Sequence, residues 1–507
     1  MQFIDGVLNK ITMYRLVLYY LIFLLLAGSV LSAFGFLSFT PLALLFSTFV
    51  ILATCIAVNA LFARVFKVQV NVESAYITAL ILALIIDPPQ AANLFSNFWF
   101  LFWAAAIAMA SKYIIAVKGK HIFNPAAVAV AITGVAVGQF ASWWVGSAAM
   151  LAFVAVGGFF VIRKVQRVDA VMSFIIVSLT TIVALSFAII NPFSSIYRVV
   201  LDSPLIFFAA VMLTEPLTMP PTKPRQVLYA AIVGLAFAPQ VHLGSFYFSP
   251  ETALLLGNLV SYFISPKGKY VMKLAKKEKV AEGVYHFTFT PDKKISFRPG
   301  QYLEWTLGHD RPDTRGNRRY FTIASSPTED AVMLGVKFYE QPSSFKRTLK
   351  AMKIGDTIMA SQLAGGFVLP KDPEKKLVFI AGGIGITPFR SMLKYIADRK
   401  EKRSITLIYS SVSMQEIAYY DIFREAAEKS GVNTVFTFTD KTKVDPAWAG
   451  HTGYVNAAMI AQVVPDYKER TFYVSGPHTL INACNDVFAG MGIPRSHIKT
   501  DFFPGLA

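Results

Sequence analysis

The hydrophobic positions of the chain follow two different patterns on either side of residue 266. Before it, long apolar runs alternate with short polar stretches, and this pattern predicts about ten hydrophobic segments. Most of them approach the roughly 20 residues that a helix needs to cross a bilayer. We therefore expect a bundle of membrane helices, at residues 14–36, 41–63, 74–88, 96–117, 123–138, 143–162, 170–190, 199–217, 226–241 and 250–265.

From residue 268 onward the chain changes to short alternating strands separated by turns, as in "YVMKLAKKEKVAEGVYHFTFT", "RPGQYLEWTL" and "RRYFTIASSP". This alternation predicts an antiparallel β-barrel. After "GGFVLP", strand–turn–helix units such as "KLVFIAGGIGITPFRSMLKYI" predict a parallel sheet with helices on both faces. The predicted domains are a membrane domain at 1–266, a barrel at 267–372 and a nucleotide-binding α/β domain at 373–507.

Composition and charge support this division. The 507 residues are 54% hydrophobic with a net charge of +17, which is too apolar for a soluble protein alone. Lys and Arg fall in alternate loops of the apolar half, so the positive-inside rule predicts ten spans of a cytoplasmic membrane with both termini in the cytoplasm. The basic stretch 265–279 suits anionic lipid, and the chain has no nucleic-acid motif.

Cysteine and histidine are too scarce for most metal cofactors. Cys55 and Cys484 cannot supply a four-cysteine iron–sulfur or zinc site. Residues 1–266 contain just His121 and His242, whereas a two-haem membrane carrier needs about four axial histidines. We expect no metal, so electron transfer would need an organic cofactor.

The stretch "IAGGIGITPF" carries the clearest candidate chemistry. An apolar strand ends in Gly382, Gly383 and Gly385, and a helix is predicted to open at Thr387 and Pro388. Free backbone N–H groups at a helix N-terminus can bind a pyrophosphate, and proline suits the first helical turn. Such a turn can also be purely structural, so the neighbouring motifs decide whether it binds a pyrophosphate.

A second motif, Arg319-Tyr320-Phe321-Thr322-Ile323-Ala324-Ser325, fits the pattern Arg-x-aromatic-Ser/Thr-x-x-Ser. With it, residues 268–507 resemble the ferredoxin–NADP reductase family. The resemblance implies FAD, with Arg319 on the pyrophosphate, Phe321 against the flavin ring, and Thr322 near the atom that receives hydride. Arginine suits a pyrophosphate because it can bind it bidentately. The alternative is an ordinary barrel strand with a core Phe.

Further landmarks of that family follow in order along the chain. Ser343 and Ser344 fall at its second phosphate contact, and Gly366 at its Gly-x-Phe turn. Ser475-Gly476-Pro477 matches its Cys-Gly-Pro, with Ser in place of Cys, so Thr322 and Ser475 are the predicted catalytic residues. Phe502 or Phe503 would cover the flavin, or else pack the terminus. Ser411 follows the second strand without a neighbouring cation, which favours NADH over NADPH.

Two apolar runs end in an acid followed by proline, at Asp87-Pro88-Pro89 and at Glu215-Pro216. Proline interrupts a helix, and an acid within a membrane is a functional candidate. The two runs lie five segments apart, so they predict an inverted repeat with broken helices. Each acid could instead simply end its helix at the interface.

Residues 10–270 resemble the RnfD and NqrB families through "ESAYITALILALIIDPP", "KHIFNPAAVAVAITG" and "VMLTEPLTMPPTK". The resemblance implies a flavin, riboflavin or FMN, near Asn124 and Thr214/Glu215. Those families also carry FMN on a threonine of a Ser-x-Ala-Thr motif, which this chain lacks, so any second flavin would be non-covalent. Asn124 could equally be a plain helix cap.

Together these patterns predict a membrane flavoprotein oxidoreductase. Electrons would pass from NADH through FAD to a flavin, to a quinone, or to another acceptor reached through the membrane domain. The alternative is a transporter-like membrane domain that a fused reductase regulates or energises, since broken helices and inverted repeats suit a transporter equally well.

Overall fold

The computed structural model describes residues 8, 11–66, 72–89, 95, 97–117, 120–186, 192–265, 269–309, 313 and 316–501. The chain divides into two compact units, residues 3–267 and residues 268–507.

The first unit is helical. Its longer helices are α1 (Met13–Ala33), α2 (Pro41–Val65), α3 (Val72–Ile85), α4 (Phe98–Ile114), α5 (Pro125–Val137), α6 (Leu151–Val165), α7 (Val168–Ser186), α8 (Pro192–Leu201), α9 (Lys223–Phe237) and α10 (Pro250–Ile264). Each of the ten predicted segments overlaps one of these helices or, in 199–217, the end of α8 and the short turns that follow it.

Polar residues and prolines begin several of these helices. The hydroxyls of Thr12 and Thr40 accept backbone N–H groups of the first turns of α1 and α2, each at 3.3 Å. At α10, Ser249 and Thr252 form a reciprocal capping box, and Pro250 takes the first helical position. Such caps satisfy N–H groups that lack partners within the helix.

Four stretches of the described residues are helical, long and apolar enough to cross a membrane: Met13–Ala33, Pro41–Val65, Ala148–Val165 and Val168–Ser186. Three further apolar helices, α3, α4 and α5, have between 10 and 17 residues. Helices that are short for a bilayer occur in membrane proteins where another part of the chain completes the crossing.

The predicted segment 199–217 is not one continuous helix. After α8, a short helical turn at Leu205–Phe207 runs into a π-helix at Phe208–Met212, and the chain leaves helical structure before Glu215. Prolines at 204 and 216 explain the breaks, because proline disfavours helical geometry in the residue before it. The acidic residue thus follows a broken helix, as the sequence predicted.

Small residues allow the helices to pack closely. A methyl group added at Gly257 of α10 would lie 3.0 Å from the Tyr229 ring of α9. Phe174, Phe208 and Phe237 form a buried aromatic cluster with centroid distances of 5.1 to 5.2 Å. Close backbone approach and aromatic packing are the main sources of helix association where lipid surrounds the bundle.

The second unit begins with a six-stranded antiparallel sheet. The strands are β1 (Lys269–Ala281), β2 (Val284–Pro291), β3 (Tyr302–Thr306), β4 (Arg318–Thr322), β5 (Val332–Lys337) and β6 (Thr357–Ala364), with helix α11 (Ser344–Ala351) after β5. Their order is β4-β3-β6-β1-β2-β5. The Ala324 N–H donates to the Met333 carbonyl at 2.8 Å and so links the two ends of the sheet. The predicted barrel is present.

A six-stranded parallel sheet follows. Its strands are β7 (Leu377–Gly382), β8 (Ile405–Ser411), β9 (Asn433–Phe438), β10 (His451–Thr452), β11 (Thr471–Ser475) and β12 (Ile498–Thr500), in the order β10-β9-β8-β7-β11-β12. The helices between them are α12 (Thr387–Arg399), α13 (Tyr420–Ser430), α14 (Ala457–Val463) and α15 (His478–Gly490).

The central strand β7 shows why this sheet needs helices on both faces. Leu377 and Phe379 pack into a core with α12 and α13, whereas Val378 and Ile380 pack into a second core with α14 and α15. All four side chains are fully buried. A continuous apolar run is what a strand covered on both faces requires, and the sequence prediction of this sheet is confirmed.

Candidate functional site

A cavity of about 850 Å³ lies in the second unit, beside the carboxyl ends of the parallel strands and the barrel strands β4 and β5. Its volume is in the range of pockets that hold cofactors. Many of the residues predicted from sequence line it, namely Tyr320, Phe321, Thr322, Gly382, Gly383, Gly385, Thr387, Ser411, Ser475, Gly476 and Pro477. The fold therefore brings the glycine turn and the second half of the Arg319 motif to one place.

The glycine turn is held tightly against β11. A methyl group added at Gly385 would lie 2.5 Å from the Ser475 carbonyl carbon and 2.6 Å from the Gly476 Cα, so glycine is required there. Gly383 has φ +51°, in the left-handed region that favours glycine. Helix α12 begins at Thr387, which lines the cavity, and the free N–H groups of a helix N-terminus favour an anion.

Tyr409, which the sequence did not single out, holds this turn by a hydrogen bond. Its hydroxyl donates to the Gly383 carbonyl at 3.1 Å. Burial raises the pKa of Tyr409 well above its usual range, so the phenol keeps its proton and remains a donor. A residue of this kind positions the turn without facing the ligand.

Two buried hydroxyls in the cavity wall fit a bound cofactor. Thr322 Oγ1 and Ser411 Oγ are both buried and have no hydrogen-bond partner among the residues that the structure describes. Buried polar atoms are nearly always paired. Two such atoms in one cavity indicate that a polar ligand completes their hydrogen bonding.

Ser475 is paired with a carboxylate that sequence reasoning missed. The Ser475 hydroxyl donates to Asp501 Oδ2 at 3.2 Å, and both buried residues line the cavity. Asp501 directly precedes Phe502 and Phe503, and it carries no motif of its own that could have marked it in the sequence. Phe502 and Phe503 lie outside the described residues.

Arg319 does not line the cavity, and neither do Ser343 and Ser344. The structure instead joins them through Asp313, whose carboxylate accepts the Ser344 N–H at 2.9 Å and lies 3.7 Å from the Arg319 guanidinium. An arginine beside a helix N-terminus is suited to a phosphate. Asp313, another residue that sequence reasoning missed, provides the carboxylate that contacts Arg319 and the Ser344 N–H.

The remaining predicted residues have structural partners. Ser343 caps α11 by accepting the Lys346 N–H at 3.3 Å, and Ser325 accepts the Met333 N–H at 3.2 Å, which helps close the barrel. Pro388 is buried in the first turn of α12. Gly366 lies outside the cavity lining, as does Pro388.

In the first unit, Asn124, Thr214 and Glu215 lie close together. They line a small cavity of about 70 Å³. Asn124 acts in two ways, because its Oδ1 caps α5 by accepting the Ala127 N–H at 3.1 Å while its Nδ2 donates to Glu215 Oε2 at 2.9 Å. The sequence left a flavin contact and a helix cap as alternatives for Asn124; the structure shows the cap, together with a contact to Glu215.

Further polar residues surround Glu215. His121 Nε2 lies 3.3 Å from its Oε1, and the Thr218 hydroxyl donates to its Oε2 at 3.1 Å. Asn258 of α10 accepts the Asn124 backbone N–H at 2.8 Å. A cavity of about 70 Å³ is far smaller than the several hundred Å³ typical of cofactor pockets, so the arrangement does not fit a second flavin.

The family comparison identifies part of the second unit. Residues 379–486 match the family described as the oxidoreductase NAD-binding domain. This part of the chain is similar to the NAD-binding domains of oxidoreductases. The match covers β7 from Phe379 onward, the glycine turn and α12, and it ends within α15.

Relatives with curated descriptions are similar over less than half of the chain. The glycine betaine monooxygenase reductase subunit of Pseudomonas aeruginosa is 26% identical over 251 residues, which is 46% of this chain and 64% of the relative. The flavohemoprotein of Oceanobacillus iheyensis is 26% identical over 244 residues, or 46% of this chain and 59% of the relative. The chain thus spans less than two-thirds of the length of these relatives.

Solved structures similar to part of the chain include the cytochrome b5 reductase domain of Ulva prolifera nitrate reductase, at 20% identity with a TM-score of 0.41, covering 47% of this chain and 99% of that one. The FAD/NAD-binding domain of nitric oxide dioxygenase from Vibrio cholerae is 18% identical with a TM-score of 0.41, covering 46% and 97%.

Proposed function

We propose that the second unit is an FAD-containing oxidoreductase that takes electrons from NADH, and from NADPH less well. The observation that carries this proposal is the single cavity in which the glycine turn, the unpartnered Thr322 hydroxyl and the Ser475–Asp501 pair meet. The NAD-binding family match supports it, as do the relatives, which include reductase subunits of monooxygenases.

Each part of the cavity has a role in this proposal. The glycine turn and the N-terminus of α12 bind the nucleotide pyrophosphate. FAD, when bound, accepts two electrons as a hydride and can release them singly. Thr322 donates a hydrogen bond to the flavin edge, while Ser475, oriented by Asp501, holds the nicotinamide. Arg319, Ser343 and Ser344 bind the flavin phosphates in place of the Asp313 carboxylate.

The preference for NADH rests on the far end of the cavity. The lining residues there are Ser410, Ser411, Val412, Thr439 and Tyr454. Among these residues there is no Lys or Arg to pair with a 2′-phosphate, the group that distinguishes NADPH. Ser411 can instead hydrogen-bond a ribose hydroxyl.

We also propose that the first unit receives these electrons in a cytoplasmic membrane, with a quinone as the acceptor. Ten spans in an inverted repeat of the RnfD and NqrB type agree with the helical structure that overlaps each apolar segment and with the helix ends near Asp87 and Glu215. Because the cavity near Glu215 is too small for a flavin, the proposed route has no second flavin.

The test compares the full-length chain with Thr322→Val and with the matched control Thr290→Val, which alters an exposed strand position. We expect NADH to bleach the flavin absorbance in the wild type and the control, and at least 10-fold more slowly in Thr322→Val. Equal rates in all three proteins would refute the role of Thr322.

A second assay addresses the acceptor, using the full-length chain in nanodiscs with a soluble quinone under anaerobic conditions. The proposal predicts NADH-dependent quinone reduction at a rate close to that of flavin reoxidation. One FAD per chain that is reduced by NADH but not reoxidised by quinone would reject the electron-accepting role and favour a transporter-like first unit.

A further inference from the structure

A buried ion pair connects helix α12 to the chain segment that follows the flavin motif. Arg390 of α12 forms a two-pronged contact with Glu329, through its Nη1 to Oε2 and through its Nη2 to Oε1 at 2.9 Å. The same Nη1 donates to the Ala324 carbonyl at 3.1 Å. The Arg390 side chain is 6% exposed, and bidentate pairs of this kind fix geometry in two directions.

Neighbouring residues tighten the same connection. Ser391 of α12 donates its hydroxyl to the Ser325 carbonyl at 2.6 Å, and the Ser326 N–H donates to Glu329 at 2.6 Å. Three consecutive residues, 324–326, are therefore held directly by α12 or by its ionic partner. These residues begin two positions after Thr322, while Arg390 lies three positions after Thr387 at the N-terminus of α12.

The Arg390 guanidinium is also closely packed on the side that faces Tyr419. The Arg390 guanidinium lies over the Tyr419 ring at 5.8 Å, and the His286 ring contacts Tyr419 at a centroid distance of 5.6 Å. A methyl group added at Gly335 of β5 would meet the Tyr419 hydroxyl and would lie 2.7 Å from Thr387 Cγ2. The barrel and α12 thus cannot approach further at this point.

We propose that Arg390 and Glu329 are positioning residues that set the distance between the nucleotide bound at α12 and the flavin edge beside Thr322, which accepts the hydride. This inference rests on the proposed function. Neither residue lines the cavity, so the pair acts through Thr387 on one side and Ala324 on the other. Hydride transfer is sensitive to such placement, since a misplacement of about 1 Å can lower a rate about 100-fold.

The experiment uses the full-length chain and three variants that alter the connection in different ways. Glu329→Gln keeps the shape of the side chain but removes its charge, and Arg390→Lys keeps the charge but loses the two-pronged contact. Gly335→Ala places a methyl group between β5 and α12 and so pushes them apart. Lys394→Gln is the control, because Lys394 lies on the same helix but pairs with Asp398 and Glu425 instead.

We expect the rate of flavin reduction at saturating NADH to fall about 10- to 100-fold in the three variants. Bound FAD per chain and the NADH dissociation constant should change less than about 3-fold. The isotope effect with 4-deuterated NADH should increase, because hydride transfer becomes more fully rate-limiting. Lys394→Gln should match the wild type in all four measurements.

The outcomes separate the two proposals. A wild-type chain whose flavin NADH does not reduce would overturn the proposed function itself. A wild type that is reduced normally, with variants that lose FAD, NADH affinity or thermal stability in proportion to their rate, would show that the pair only stabilises the fold. If Glu329→Gln fails to fold, Arg390→Lys and Gly335→Ala decide the question by the same measurements.

Discussion

Replacing Gly385 by alanine tests the close contact between the glycine turn and β11. The new methyl group would lie 2.5 Å from the Ser475 carbonyl carbon and 2.6 Å from the Gly476 Cα, whereas ordinary contacts begin at 3.4 Å. The turn or β11 must therefore move by about 0.9 Å, and both obstacles are backbone atoms that cannot rotate away. Overpacking of this kind costs about 1 to 3 kcal/mol.

This displacement would move the glycine turn and Ser475 of the proposed site apart. We expect Gly385→Ala to lower the melting temperature by several degrees and to slow flavin reduction by NADH about 100-fold. Gly490→Ala is the matched control, since a methyl group there meets nothing within 4 Å. The assays are thermal unfolding and stopped-flow absorbance of the full-length chain. Wild-type stability and rate in Gly385→Ala would show that β11 does not hold the turn.

Three further predictions follow from single contacts. Asp313→Asn should raise FAD affinity of the apoprotein several-fold in a fluorescence titration, because the carboxylate beside Arg319 and Ser344 no longer competes with phosphate; unchanged affinity would contradict this. Burial, followed by the charge of Arg390, lowers the pKa of His286 to about 4; the stability that this neutral ring contributes is present above about pH 6.5, and roughly 3 kcal/mol is lost as pH falls through about 4. Thermal unfolding across this range should show a weaker pH dependence for His286→Gln, and an identical profile would count against the assignment. Asn124→Leu should destabilise the start of α5 by about 1 kcal/mol through the lost cap and lower quinone reduction in nanodiscs; unchanged activity would leave Asn124 as a cap alone.

The sequence predicted the parts of the fold that local pattern determines. The apolar run 377–381 is continuous because β7 is buried on both faces, and the turn after it is marked by Gly383, whose left-handed backbone favours glycine. Likewise, the prolines beside Asp87 and Glu215 mark where helical structure stops. In each case the physical cause lies in the residues that form the element.

Contacts between distant residues were not predictable in this way. Asp501 meets Ser475 from 26 positions away, and Arg390 meets Glu329 from 61. Neither partner carries a local signature, because pairing depends on how strands and helices are arranged in space. Arg319 does not line the cavity, although Thr322, three positions later on the same strand, does. Alternate residues of a strand face opposite sides, and Arg319 points toward Asp313.

The most direct test of the account is an anaerobic titration of the full-length, FAD-loaded chain with NADH, followed at the flavin absorbance. We predict that one equivalent of NADH bleaches one FAD per chain and that NADPH requires a higher concentration. A chain that binds no FAD, or whose FAD stays oxidised at saturating NADH, would contradict the central claim.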